Sequence, residues 1–355
     1  MRQTGYLGTS LLLVFAWAAS ALPGFGQAAP AAQAQAKGPQ AKTQAEYTAY
    51  VAFFNEKDPV KKAGLGEKFI TDFKETDFIP ASYTQIITAY TQAQNWPKVI
   101  DAAERAANIP GADNKLKAFA YANAMVASQN LNKIDDVLKY GDKVLAIDPN
   151  DLNTMITLSA VIPSKLPTDD AGKKASLDKA QDLAKKALTG IQPLLAQAQG
   201  PQKAQIAQID SQLHATLGLI AYNRPDYTKS IEEYEQAIKT NPKDDVAHFY
   251  MALDYQALAG QASRAYQDAV KNENDAKAAK ADQPTIDELA AKRTGLENDV
   301  REKRDKAIEE YAIAAAIGGV VAQNAKDALE KLWQAKNDNL NGMNEFIAQK
   351  KSALQ

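Results

Sequence analysis

Two histidines, His214 and His248, are the only imidazoles in the chain, and they stand 34 residues apart. There is no cysteine, which excludes disulfides, thiolate nucleophiles, cysteine-bound zinc and any lipid-modified cysteine. A histidine-rich zinc site needs a third imidazole, and the HExxH spacing that sets two of them on one helix face does not occur. Gly64-Leu65-Gly66 and Gly318-Gly319 are followed by neither a Lys-Ser/Thr pair nor a GxGxxG spacing, so no phosphate loop is present. Glu232-Glu233 and Glu309-Glu310 have the side chains for general acid–base work, but that chemistry requires a cleft. Both pairs fall in helical patterns, where a solvated face is the simpler reading. These residues point to a chain with no catalytic group, no cofactor and no resident metal.

The charge pattern is equally plain. Forty-one basic residues against 43 acidic ones leave a net charge of −2, and nothing marks the chain as a nucleic-acid binder. Lys173-Lys174, Lys185-Lys186 and Lys350-Lys351 are short clusters without interleaved aromatics. At the N-terminus, Arg2 precedes an apolar run from Leu11 to Ala19 that Pro23-Gly24 ends, well short of the ~20 residues a membrane span needs. Small residues at Gly24-Phe25-Gly26 and Gly26-Gln27-Ala28 offer cleavage sites. Residues 1–28 therefore read as a secretory signal peptide, with the mature chain periplasmic or secreted and no stable membrane insertion after cleavage. Residues 29–43, mostly Ala, Gln, Pro and Lys, read as a flexible linker.

From residue 44 onward apolar residues recur at helical spacing in successive pairs of stripes. Tyr47, Tyr50, Val51 and Phe54 make the first, and Val60, Ala63, Ile70 and Phe73 its partner. Tyr83, Ile86, Ile87 and Tyr90 are followed, after Trp96-Pro97, by Val99, Ala103, Ala106 and Ile109. Tyr121, Ala124 and Met125 lead to Val137, Gly141 and Val144; Met155, Leu158 and Ile162 lead to Ala180, Leu183, Ala184 and Ala187. Residues 193–208 read as a linker or an early helix start.

The clearest pair lies in residues 211–244. Leu213, Leu217, Ile220 and Ala221 form one apolar face, Asn223-Arg224-Pro225-Asp226 breaks the helix, and Ile231, Tyr234, Ala237 and Ile238 form the next face before Asn241-Pro242. This stretch resembles a tetratricopeptide repeat. Leu217-Gly218, Tyr227, Tyr234, Ala237 and Pro242 occupy that family's packing, close-approach and terminating positions. His214 stands where the family usually has Trp, Ala221 where it has Tyr, and Ser230 where it has Ala. The two histidines then share the fourth position of successive repeats, a packing position, and Gly141 replaces a usual large aromatic. The resemblance implies an all-α, TPR-like α-solenoid of about six helix pairs over residues 44–319.

The sixth unit departs from the period. His248, Met251, Ala252 and Tyr255 begin it, but no turn follows, and Ala262, Ala265, Ala269, Ala276 and Ala279 carry the helix on. After Asp282-Gln283-Pro284 a capping box, Thr285 to Glu288, starts a second arm bearing Ile286, Leu289, Leu296 and Val300 in heptad-like register, with Arg293 and Lys303 interrupting it. Ala307, Tyr311, Ala314 and Ile317 resume the repeat, and Ile308 to Tyr311 repeats the IEEY quartet of Ile231 to Tyr234. Residues 262–305 thus read as an inserted antiparallel helical hairpin, a coiled-coil arm about 35 Å long at 1.5 Å per residue. Its Ala-lined seam supplies little apolar area, so its tip either frays or holds a partner. Residues 320–355 read as C-terminal capping helices, carrying Ala325, Leu329, Leu332 and Trp333, then Met343, Phe346, Ile347 and Leu354.

In the family the chain resembles, residues between the packing positions of each first helix line a concave groove. That implies a partner-binding site at Thr84, Thr88, Thr91 and Gln92, then Val126, Gln129 and Asn130, then Leu219, Tyr222 and Asn223, and finally Phe249, Leu253 and Gln256. Members that clamp chaperone C-termini use Lys and Arg there, and this chain has neither. Amides, hydroxyls and aromatics suit a polypeptide's backbone and side chains. The expected function is an exported, non-catalytic interaction scaffold for a protein or peptide. The alternative is an envelope glycan or polymer module that uses Tyr222 and Phe249 as stacking platforms.

Overall fold

Every regular element of the computed structural model is helical among the described residues, 39–354. The signal-peptide reading and the linker up to residue 38 lie outside them. Contacts divide the chain into two bodies, one ending at Ala187 and the other beginning at Leu188.

The first body holds α1 (Gln44–Asn55), α2 (Pro59–Asp72), α3 (Ile79–Gln92), α4 (Trp96–Ala107), α5 (Asn114–Asn130), α6 (Ile134–Ile147), α7 (Leu152–Val161) and the start of α8 (Asp170–Gln197). Short polar side chains start α1, α2, α5 and α7 by accepting from an otherwise orphaned backbone N–H. Asp58 accepts from Lys61 N at 2.9 Å, Asp113 from Leu116 N at 2.7 Å and Asp151 from Thr154 N at 2.8 Å. Each helix from α1 to α6 packs on the next, and α3 also touches α5, so these two first helices of neighbouring pairs lie side by side. Phe53, Phe69, Ile86, Ile87, Val99 and Leu158 are buried between them.

Close approach depends on small residues. A Cβ on Gly141 would stand 2.6 Å from the Leu158 side chain. The missing aromatic at Gly141 therefore makes a tight α6–α7 contact rather than a gap, and the neighbouring Tyr140 is the buried ring. The second helices are laced by polar links that the apolar pattern does not encode. Arg105 of α4 forks onto Glu67 of α2 at 2.9 and 2.6 Å. Tyr140 of α6 donates to Glu104 of α4 at 2.6 Å, and Lys179 of α8 reaches Asp142 of α6 at 2.5 Å.

The second body holds the end of α8, then α9 (Gly200–Tyr222), α10 (Tyr227–Thr240), α11 (Asp245–Ala278), α12 (Gln283–Ile317), α13 (Ala322–Asn337) and α14 (Met343–Ala353). Residues 193–208 are not a linker: α8 continues through Pro193, and α9 already begins at Gly200. Burial of Ile191, Ala198, Ile206 and Ile209 offsets the hydrogen bond that the proline removes. In the α9–α10 pair, Tyr234 is buried against Gly218, where a Cβ would come within 2.9 Å of the ring. Ser230 donates its hydroxyl to Gly218 O at 2.9 Å and so satisfies itself in the contact.

Helices α11 and α12 are 34 and 35 residues long and pack against each other. Their details correct three expectations. The cap of α12 is Asp282, which accepts from Thr285 N at 3.1 Å, because Pro284 already occupies the first turn and Thr285 is inside the helix. The seam on α11 runs through Ala262, Ala269, Glu273 and Ala276, whereas Ala265 and Ala279 are exposed. Arg293 does not interrupt the seam; it crosses to Glu273 at 2.7 Å, and Lys277 pairs with the same carboxylate at 2.5 Å. Glu273 is held below the usual glutamate range chiefly by its bond from Lys277 and then that from Arg293, against its burial. Helices α13 and α14 pack on α12, with Val321, Ala325, Leu329 and Met343 buried and the Trp333 and Phe346 rings 5.3 Å apart.

Both histidines face a carboxylate on the second helix of their own pair. His214 Nδ1 lies 2.8 Å from Glu233, and His248 Nδ1 lies 2.5 Å from Glu310, with His248 Nε2 3.2 Å from Pro242 O. Glu233 and Glu310 are the third residues of the two IEEY quartets. The packing position is therefore also one half of a repeated His–Glu link.

The Gly141 contact is open to a double-mutant cycle. Gly141→Ala should destabilise the protein by about 1–3 kcal/mol, the usual cost of overpacking. Adding Leu158→Ala, which removes the clashing atoms, should cost less in that background than in the parent. Urea unfolding of the four proteins measures the coupling, and strict additivity would contradict the close approach.

Candidate functional site

In the first body the expected site residues lie on the adjacent faces of α3 and α5. Much of their hydrogen-bonding capacity is already used, because a short hydroxyl or amide on a helix can donate to the carbonyl one turn back. Thr84 donates to Pro80 O at 3.1 Å, Thr88 to Thr84 O at 2.8 Å and Asn130 to Val126 O at 2.9 Å. Thr91 bridges to Asn123 of α5 at 3.4 Å, which ties the two faces together. Gln92 is exposed, and Val126 and Gln129 are half-buried. What these side chains present to a partner is chiefly acceptor lone pairs.

A separate cleft of about 800 Å³ in this body is lined by Lys74, Asp77, Tyr83, Asp101, Glu104 and Arg105 among others, and by none of the expected site residues. Its principal cation is committed: Arg105 is held by Glu67 and Asp101, with its guanidinium 5.4 Å from the Tyr83 ring centre.

In the second body, Leu219, Tyr222 and Asn223 close the C-terminal turn of α9, while Phe249, Leu253 and Gln256 lie on α11. The Tyr222 ring meets Tyr250 edge-on at 5.3 Å, Tyr250 meets Phe249 at 5.9 Å, and Phe249 meets Tyr311 of α12 at 5.7 Å. Such edge-to-face pairs contribute roughly 0.5–1.5 kcal/mol each beyond their buried area. Gln256 accepts from the Tyr311 hydroxyl at 2.8 Å, and Asn223 donates to Leu219 O at 2.9 Å. Phe249 corrects the stacking-platform expectation. It is buried between Tyr250 and Tyr311, so of the two proposed platforms only half-buried Tyr222 retains open ring surface.

The sequence reading missed Asp254. This residue is fully buried, and neither carboxylate oxygen has a hydrogen-bond partner. The Ser230 hydroxyl, whose dipole acts on it, sends its hydrogen to Gly218 O instead. Burial pushes the Asp254 carboxyl up to about 7, and Ser230 offsets only part of that. Its charge in turn raises Tyr222, Tyr234 and Tyr311, in each case after the larger effect of burial. The available signal was positional. Ala247, Met251, Asp254 and Leu258 follow one another at spacings of four, three and four, so an acid stands in the apolar stripe of α11.

No helix among the described residues is long and apolar enough to cross a membrane, and no group of three or more His, Asp or Glu among them is placed to hold a metal ion. No family model matches the chain, and no curated protein matches it. Among solved structures, a tetratricopeptide repeat protein from Parabacteroides merdae ATCC 43184 aligns at 13% identity, covering 82% of this chain and 99% of that one, with a TM-score of 0.41. A likeness that loose carries no argument about ligand or partner.

The titration of Asp254 sets a direction for stability. A carboxyl with a raised folded pKa costs stability wherever it is ionised. The penalty is absent below the unfolded value near 4, grows as pH rises to about 7 and persists above. Its size is on the order of 4 kcal/mol. His248 acts in the same sense: burial is the largest single effect and lowers its pKa, but the bond and charge of Glu310, the Pro242 carbonyl and the charge of Asp244 together outweigh it and raise the pKa. Its contribution is full below about pH 6.5 and is lost as pH climbs through the folded value. Asp254→Asn should therefore stabilise the protein at pH 8, with the gain shrinking towards pH 4. Denaturation midpoints across that range test this, and a gain that does not vary with pH would contradict it.

Proposed function

We propose that this protein is an exported, non-catalytic scaffold that holds a polypeptide against the first-helix faces of its helix pairs. The observation that carries the reading is the α9–α11 face. There Tyr222 offers open ring surface, backed by Tyr250 and Phe249, beside the amides of Asn223 and Gln256. The same face disfavours the glycan alternative, since sugar stacking needs flat exposed rings and Phe249 supplies none. Threonine and asparagine side chains that donate to their own helix keep acceptors for a peptide's N–H groups. Export rests on the apolar run from Leu11 to Ala19 and the small residues after it.

Capture from an extracytoplasmic fraction of the source cells tests the reading. The captured species should be lost on protease treatment and survive glycosidase treatment; the reverse would establish the glycan alternative. Tyr222→Ala should weaken capture at least tenfold, about 1.4 kcal/mol, with the helical circular dichroism unchanged. A protein lacking residues 263–305 should still bind. If binding disappears with that deletion while the fold remains, the arm is the recognition element and the first-helix face is not.

A further inference from the structure

Helix α11 buries two acids in one apolar stripe and treats them differently. Glu273 is clasped by Arg293 at 2.7 Å and Lys277 at 2.5 Å. Asp254 is fully covered, makes no ion pair among the described residues and leaves both oxygens without a hydrogen bond. An uncompensated buried carboxylate is strongly destabilising, and proteins rarely retain one without a use. Its charge acts on Tyr222 of α9, Tyr234 of α10 and Tyr311 of α12, and the rings of Tyr250 and Phe249 on α11 join these three into one aromatic cluster.

We propose that Asp254, with the rings of Tyr222, Tyr250, Phe249 and Tyr311, forms a recognition site for one cationic side chain, a lysine or arginine, of the polypeptide partner. This rests on the polypeptide reading above and supplies its chemistry at one position. Two features of the site select the ligand. Ring faces carry negative potential that attracts a desolvated ammonium or guanidinium, and the carboxylate needs a positive charge, which a hydroxyl or amide does not bring. A hard metal ion fits poorly, because one carboxylate among rings falls far short of the oxygen ligands such ions require. Asp254 is fully covered, so entry requires a side chain to move. Tyr222, half-buried beside the end of α9, is the ring placed to turn aside.

The test titrates the intact protein with N-acetyl-lysine amide, N-acetyl-arginine amide and the uncharged N-acetyl-norleucine amide, following tyrosine side-chain NMR signals. One of the two cations should bind at least tenfold more tightly than norleucine, and Asp254→Asn should abolish that preference while the helical circular dichroism is retained. Equal binding of all three probes, or a preference that survives in Asp254→Asn, overturns the site. Should Asp254→Asn fail to fold, Tyr222→Leu and Tyr250→Leu, which leave the carboxylate in place, are put through the same titration; a preference unchanged in both overturns the proposal. Partner capture separates the two levels. If Asp254→Asn captures the protease-sensitive partner as well as the parent does, the polypeptide reading stands and the cation site falls. If the parent captures only a glycan, both fall.

Discussion

The architecture depends on how closely one helix of a pair can approach the next. Leu158 lies against Gly141 in one body, and Tyr234 lies against Gly218 in the other, each at a distance that leaves no room for a Cβ. That constraint sets where the large side chain inserts, and so fixes the rotation of both helices. Gly66 does the same beneath Ile86 and Phe53, where Ile87 and Val99 also turn inward, and the first helices α3 and α5 lie side by side. Dispersion gained in such contacts is small per atom pair but is lost steeply when a gap opens, so small residues at these points matter more than their own buried area suggests.

Polar links then lock what the apolar contacts position, and the two bodies use them differently. In the first, they run between second helices of successive pairs, through Glu67–Arg105, Glu104–Tyr140 and Asp142–Lys179. In the second, they run between the two helices of one pair, through His214–Glu233 and His248–Glu310. The His248 link is the less exposed of the two, and its raised imidazole pKa couples stability to pH.

Asp254 is where these packing rules are broken. The stripe that buries Ala247 and Met251 also buries a carboxylate, and the nearby hydroxyl of Ser230 is committed to Gly218. Local disagreement between a residue and its surroundings is characteristic of sites kept for function. Glu273, one stretch further along the same helix, shows that the fold can neutralise a buried acid. The contrast between the two gives the aromatic cluster its chemical meaning.

Helical periodicity is a local property, so the sequence by itself determined the succession of helix pairs, the small residues at close approach and the prolonged helices of the sixth unit. Stripe spacing shows which face of a helix is buried, but not what covers it. The two histidines and the repeated IEEY quartets were both visible, yet their pairing joins residues 19 and 62 positions apart and appears only when the helices pack. For the same reason the sequence placed Phe249 on an open face, where Tyr311 of a helix some sixty residues away covers it. It likewise read Arg293 as a break in a seam that Arg293 closes by reaching Glu273. Caps were legible to within a turn, because Asp282 and Thr285 both have short polar side chains and only the backbone path decides which accepts. The isolation of Asp254 was decided by tertiary structure alone, since a carboxylate is unpaired only by virtue of what every neighbouring helix fails to bring to it.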